Sequence, residues 1–143
     1  MAVDITVFIV DDDQDDRDMF CEVVKEINER INCKVFSNGQ EALQVLQKHE
    51  VLPNFIFLDL NMPRMNGKQF LTNIKNMPCL CSIPVIIYST SKLDEDKEET
   101  KKLGAEYFLT KPTSMQQLKK ELESVFAKKI SLAGFNGSKY MNS

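Results

Sequence analysis

Short, nearly continuous apolar runs alternate with helix-periodic stretches along this chain, and the alternation repeats five times. The first run, Ile5-Thr6-Val7-Phe8-Ile9-Val10, is β-branched and almost unbroken, as a strand covered on both faces requires. Met19, Phe20, Val23, Val24 and Ile27 then recur at the spacing of one helix face. Residues 34–37 predict a short second strand, and Asn38 predicts the cap of a helix whose inner face carries Ala42, Leu43 and Leu46. Phe55-Ile56-Phe57-Leu58 reads as the third strand, and the turn-forming run NMPRMNG leads to a helix bearing Phe70, Leu71 and Ile74. Residues 84–88 predict the fourth strand. The helix predicted over 94–103 is charged nearly throughout, which implies shallow packing, and it ends at Gly104, a favoured residue just past a helix. Residues 106–110 predict the fifth strand, followed by a helix with Leu118, Leu122, Val125 and Phe126 on one face.

Five strand–helix units with short connections imply an α/β fold, a doubly wound five-stranded parallel sheet with helices on both faces. The 143 residues divide into a domain over 1–129 and a flexible C-terminal tail over 130–143, rich in Ser, Asn and Gly, whose Phe135 and Tyr140 offer the alternative of docking. Lys and Arg number 18 against 21 acids, so the basic surplus of a general nucleic-acid binder is missing. No positively charged leader and no window of ~20 apolar residues appears, so the expectation is a cytoplasmic chain without a membrane partner. Cys21, Cys33, Cys79 and Cys81 are too few and too scattered for a disulfide framework.

In such a fold the ligand site lies beyond the carboxyl ends of the strands. Asp11, Asp12 and Asp13 follow the first strand, Asp59 the third, Ser89 and Thr90 the fourth, and Lys111-Pro112 the fifth. Two carboxylates ~5 Å apart repel by about 3 kcal/mol at an effective dielectric of 20, so the cluster must protonate, take up a cation or stay hydrated. Mg²⁺ fits, because it prefers one or two carboxylates and keeps positions for water and phosphate. With Lys111 as a fixed cation and Ser89 as a hydroxyl donor, a carboxylate there is equipped to accept a phosphoryl group. Asp13, Asp15, Asp16 and Asp18 read as helix caps and dipole partners.

At these residues the sequence resembles the receiver domain of two-component response regulators. The matching segments are VDDDQDD, LDLNMPRMNG, PVIIYST and GAEYFLTKP, in order and in register from about residue 5 to 127. The resemblance implies the flavodoxin/CheY-like strand order 2-1-3-4-5 with five helices. It makes Asp59 the phosphoacceptor and places Mg²⁺, with Mn²⁺ as a substitute, on Asp12, Asp59 and the backbone carbonyl of Asn61, with Asp11 acting through water. Ser89 takes the position of the switch hydroxyl, Thr90 the site beside it, Phe108 the aromatic switch position and Lys111 that of the family's lysine, often joined to its proline by a cis bond. The run DLNMPRMNG, the span from Asn76 to Pro84 and the STS after strand four are similar to stand-alone, phytochrome-associated receivers. A phosphorelay role follows by implication: phosphoryl transfer from a sensor histidine kinase or histidine phosphotransfer protein, self-catalysed phosphotransfer and autodephosphorylation only, and output through the face of helix 4, strand 5 and helix 5. The chain is then a monomer or weak dimer, and not a turnover enzyme.

Two other readings stay open. Asp11-x-Asp13 fits the opening of a haloacid-dehalogenase-type phosphohydrolase, although the acid pair expected after a late strand is missing. A receiver-like binding module that no longer takes phosphate is the other. Cys79-x-Cys81 lacks a second ligand pair and reads as free thiols, and His49 reads as a solvated helix-end residue. Met62 and Met65 are placed at the edge of the site, the other methionines in core and surface.

Overall fold

The computed structural model describes residues 5–132, with side chains as far as Lys128. In chain order the elements are β1 (Ile5–Val10), α1 (Gln14–Ile27), β2 (Ile31–Phe36), α2 (Gly39–Gln47), β3 (Phe55–Leu58), α3 (Gly67–Lys75), β4 (Val85–Ser89), α4 (Asp94–Lys102), β5 (Tyr107–Thr110) and α5 (Met115–Leu132). The strands form one parallel sheet in the order β2-β1-β3-β4-β5. The sheet and α1 to α4 belong to a compact unit that ends at Lys111, and α5 belongs to a second that starts at Pro112.

The apolar runs predicted as central strands are buried on both faces, as parallel strands between helices must be. Phe8, Val10, Ile56, Leu58, Val85 and Ile87 form one cluster with Ala42 and Leu46 of α2 and Phe70, Leu71 and Ile74 of α3. The alternate positions turn to the other face, where Phe20 of α1 lies 4.8 Å from Phe57 and 5.5 Å from Tyr88 between ring centroids. Burying each such side chain contributes about 1.5–3 kcal/mol, which fixes strand register because a one-residue slip would expose the whole set. Asn38 caps α2 as predicted, accepting from the Glu41 N–H at 2.9 Å. In α5, Leu118, Leu122, Val125 and Phe126 are buried, the face read from their spacing.

Several boundaries differ from the sequence reading. β2 starts at Ile31, three residues early, because its alternating burial suits an edge strand with one neighbour and left no continuous apolar run to read. β4 starts after Pro84, which has no N–H to donate, though its carbonyl accepts from Ile56 at 3.0 Å. α5 continues to Leu132, so the first three residues of the expected tail are helical, and Phe135 and Tyr140 lie outside the described residues. The Lys111–Pro112 bond is trans, against the expected cis form, a choice that differs intrinsically by only about 0.5–1 kcal/mol at X–Pro. Met62 is a core residue in the α2–α3 cluster rather than the edge of a site, and Met65 packs against the same cluster.

Candidate functional site

The backbone of the sheet delivers the rim residues. The Asp11 N–H donates to the Phe36 carbonyl at 3.0 Å, the Asp59 N–H to the Val10 carbonyl at 3.0 Å, and the Lys111 N–H to the Ser89 carbonyl at 2.8 Å. Each bond extends a strand ladder by one step, so three chain segments reach the rim with little freedom. Asp13 then caps α1, accepting from the Asp16 N–H at 3.2 Å, and turns the chain away from the rim. With its carboxylate committed to that cap, Asp13 is not poised as the second acid of a hydrolase pair.

Behind Asp59 the chain must reverse within a tight loop to start α3. Arg64 adopts a left-handed conformation there (φ 67°), and a reciprocal capping box between Asn66 and Gln69 starts the helix. Gly67 packs so closely that a Cβ on it would lie 2.3 Å from the Asp59 carbonyl oxygen and 2.7 Å from Leu60 Cα. Gly67→Ala is therefore expected to push the Asp59 backbone out of place. Denaturant unfolding should show a loss of about 1–3 kcal/mol, the range for overpacking a tight site.

Carboxylate oxygens of Asp11, Asp12 and Asp59 all lie within 4.8 Å of one another, Asp11 and Asp59 buried and Asp12 exposed. The Lys111 ammonium sits 2.8 Å from Asp11 Oδ2, 2.7 Å from Asp16 Oδ2 and 3.8 Å from Asp59 Oδ1, and 5.4 Å from the centroid of the Tyr88 ring. Arg17 adds a second cation, its guanidinium donating to the Asp11 carbonyl at 2.7 Å. Burial pushes the Asp59 carboxyl up to about 6 even though Lys111 pulls the other way, and the charge of Asp11 adds to the rise. Asp11 is raised by the same desolvation, against its hydrogen bond to Lys111. For Lys111, burial favours the neutral amine, but hydrogen bonds to Asp11 and Asp16 outweigh it and hold the ammonium charged. Two buried carboxylates held against one lysine leave a negative surplus that a hard divalent cation would neutralise, so the residues present fit such an ion.

Ser89 is fully buried at the end of β4, and its Oγ accepts from the Ser91 N–H at 3.2 Å. From Ser91 a polar chain leads outward: Ser91 Oγ donates to Asp96 Oδ2 on α4 at 2.5 Å, and Lys68 of α3 bridges Asp96 at 2.8 Å and Glu99 at 2.7 Å. Thr90 is exposed beside Ser89. Phe108 is half-buried against the α2–α3 cluster with the Lys97 ammonium 5.9 Å from its ring centroid. The structure thus brings Asp11, Asp12, Asp59 and Lys111 together at the rim and sets Ser89 at the end of the neighbouring strand, with Asn61 exposed two residues beyond Asp59. Sequence reasoning missed Asp16, Arg17, Ser91, Asp96 and Lys68. Asp16 was hidden among six acids between 11 and 18, where only its helical position, one turn beyond Asp12, distinguishes it. An open groove of about 650 Å³ lies elsewhere, lined by Arg64, Met65, Lys68 and Glu99 among others, and holds none of the rim carboxylates.

The sequence model of the response regulator receiver domain matches residues 7–123. The chain belongs to that family. Among solved structures, the receiver domain resembles the phosphorylated cyanobacterial phytochrome response regulator RcpA (TM-score 0.83, 26% identity, 92% of this chain and 98% of that one). It also resembles the Mn²⁺-bound form of response regulator Rcp1 (TM-score 0.76, 28% identity, 85% and 91%). Rcp1 of Synechocystis sp. is 29% identical over 124 residues, 83% of this chain and 84% of Rcp1. The receiver is 34% identical to the probable methanogenesis regulatory protein FilR2 of Methanothrix harundinacea over 92 residues, 62% of this chain but 59% of that protein. Membership in this family replaces the hydrolase reading. No helix among the described residues is long and apolar enough to cross a membrane.

Proposed function

We propose that this receiver domain accepts a phosphoryl group on Asp59 from a phosphohistidine of a sensor histidine kinase or histidine phosphotransfer protein. The observation that carries this reading is the buried Asp59 carboxylate set between Asp11, Asp12 and the Lys111 ammonium at the carboxyl edge of the sheet. With its carboxyl near 6, Asp59 is mostly ionised at pH 7, so the nucleophile is charged when the donor arrives. Its oxygen forms the new bond to phosphorus as the bond from phosphorus to the donor imidazole nitrogen breaks. Lys111 faces the charge that develops on the phosphoryl oxygens. Asp12, Asp59 and the Asn61 carbonyl would hold Mg²⁺ or Mn²⁺, with Asp11 acting through water. A bound divalent cation supplies charge neutralisation at the phosphoryl oxygens.

The phosphorylated side chain would attract the Ser89 hydroxyl, which then gives up its bond from Ser91. Ser91 is also tied to Asp96 on α4, so the shift reaches the surface formed by α4 and β5, and Phe108 moves toward the space that Ser89 leaves. Two arrangements of this surface, biased by one charged group, suffice to recruit or release a protein partner. The likeness to the response regulators Rcp1 and RcpA supports an output through protein contact or onward phosphoryl transfer.

Acetyl phosphate with Mg²⁺ is expected to add about 80 Da, one phosphoryl group, in intact mass spectrometry. Excess chelator or Asp12→Asn should remove most of that labelling. Labelling that ignores chelator would contradict the cation's role, and no labelling by acetyl phosphate or a phosphohistidine donor would leave a binding module in place of a phosphoacceptor.

A further inference from the structure

Outside the rim, two thiols face each other across α1 and β2. Cys21 Sγ lies 2.8 Å from Cys33 Sγ, well inside ordinary sulfur–sulfur contact, and both cysteines are half-buried and free. The sheet fixes Cys33 opposite Val7 in the β1–β2 ladder, and Phe20, its neighbour Cys21's anchor in α1, is locked between Phe57 and Tyr88. The juxtaposition is therefore imposed by the core. We propose that Cys21 and Cys33 are a redox modification site that closes to an intramolecular disulfide when a peroxide is the oxidant.

The surroundings assign different roles to the two sulfurs. The hydrogen bond shared with Cys33 holds the Cys21 thiol below the usual range, burial opposes this, and Lys25 and Arg17, one turn either side on α1, favour the thiolate while Asp18 disfavours it. Cys33 is shifted the other way, first by its hydrogen bond with Cys21 and then by burial. With Arg17 and Lys25 one helical turn to either side of it on α1, Cys21 is the sulfur placed to attack as a thiolate, and Cys33 the one that resolves it. The Cys21 thiolate attacks one peroxide oxygen, the O–O bond breaks, and the departing hydroxide takes a proton to leave as water. The product is a sulfenic acid on Cys21. Cys33 sulfur then attacks Cys21 sulfur and displaces hydroxide, which takes the Cys33 proton and leaves as a second water. Two thiols lose two electrons in all, and one peroxide gains them.

The exposed Cys79 and Cys81 are the internal competitors. The 143-residue chain treated with one equivalent of hydrogen peroxide and then with maleimide is expected to lose about 2 Da and to take two maleimides in place of four, with dithiothreitol reversing both changes. Peptide mapping should join Cys21 to Cys33, and Cys79→Ser/Cys81→Ser should behave as wild type. Closing this short loop should raise the melting temperature of the oxidised protein by about 5–10 °C. In Cys33→Ser, Cys21 should stop at the sulfenic acid and be trapped by dimedone. A cross-linked peptide containing Cys79 or Cys81 in place of Cys21–Cys33, or four maleimides after peroxide, would overturn the proposal. Mapping of the wild-type chain decides the matter even if Cys33→Ser does not fold.

Discussion

Asp59→Asn is expected to take up no phosphoryl group, yet to unfold later than the wild type when divalent cations are absent. The first half follows because the amide has no anionic oxygen to form the acyl phosphate, and the readout is the missing mass shift with acetyl phosphate and Mg²⁺. The second half follows from burial. The folded protein holds the Asp59 carboxyl near 6 against an ordinary 3.8, so between these values the folded state binds more protons than the unfolded one. Stability in chelator should therefore fall as pH rises from about 4 through 6, and the charge should cost about 1–3 kcal/mol at pH 7. The substitution removes that cost, so its advantage should be greatest above pH 6 and vanish near pH 4. Millimolar Mg²⁺ should close the gap by stabilising only the wild type. Denaturant unfolding at pH 4 and 7, with and without Mg²⁺, separates these outcomes, and a wild type that is more stable than the variant in chelator at pH 7 would contradict the account.

Lys111→Met should have the opposite effect on stability and an equally large one on chemistry. The methionine keeps a flexible chain against the Tyr88 ring but removes the cation that lies between Asp11, Asp16 and Asp59. Asp11 is fully buried, so it is left as an uncompensated charge, and removing one partner of such a pair costs about 3–5 kcal/mol. The deficit should be largest above pH 6, where Asp59 is charged, and should shrink as the pH falls and the carboxyls, both raised by burial, take up protons. Labelling by acetyl phosphate should slow by about 10²–10³, the usual effect of deleting one preorganised group that faces developing charge. A variant that labels at the wild-type rate would remove Lys111 from the chemistry.

The central strands and the rim were legible in the sequence because both rest on short-range signals. Phe55-Ile56-Phe57-Leu58 can be little other than a covered strand, and Asp59 directly after it must lie where that strand ends. The α4 reading also stands: among its residues only Thr100 is buried, as the charged run implied. What escaped was long-range. Asp16 and Lys111 are 95 residues apart and meet only because β1 and β5 both end at the same rim. The same holds for Lys68 and Asp96, 28 residues apart, whose pairing depends on how α3 and α4 lie side by side. Cys21 and Cys33 looked scattered because a helix and an edge strand, invisible as neighbours in the sequence, bring their sulfurs together. β2 was misplaced for a related reason, since an edge strand draws its stability from its single partner and carries too few apolar residues to announce itself.

The cap position before α4 is Leu93, which is exposed and supplies no side-chain bond to the first helical turn. Its start is held instead by Ser91 and by the Lys68 bridge, contacts that lie near solvent. A helix with one buried residue, no cap of its own and an anchorage made of charges sits at the low end of the range of local opening free energies. Ions in the surrounding medium weaken such an anchorage well before they disturb the sheet, so the resting posture of this surface responds to salt.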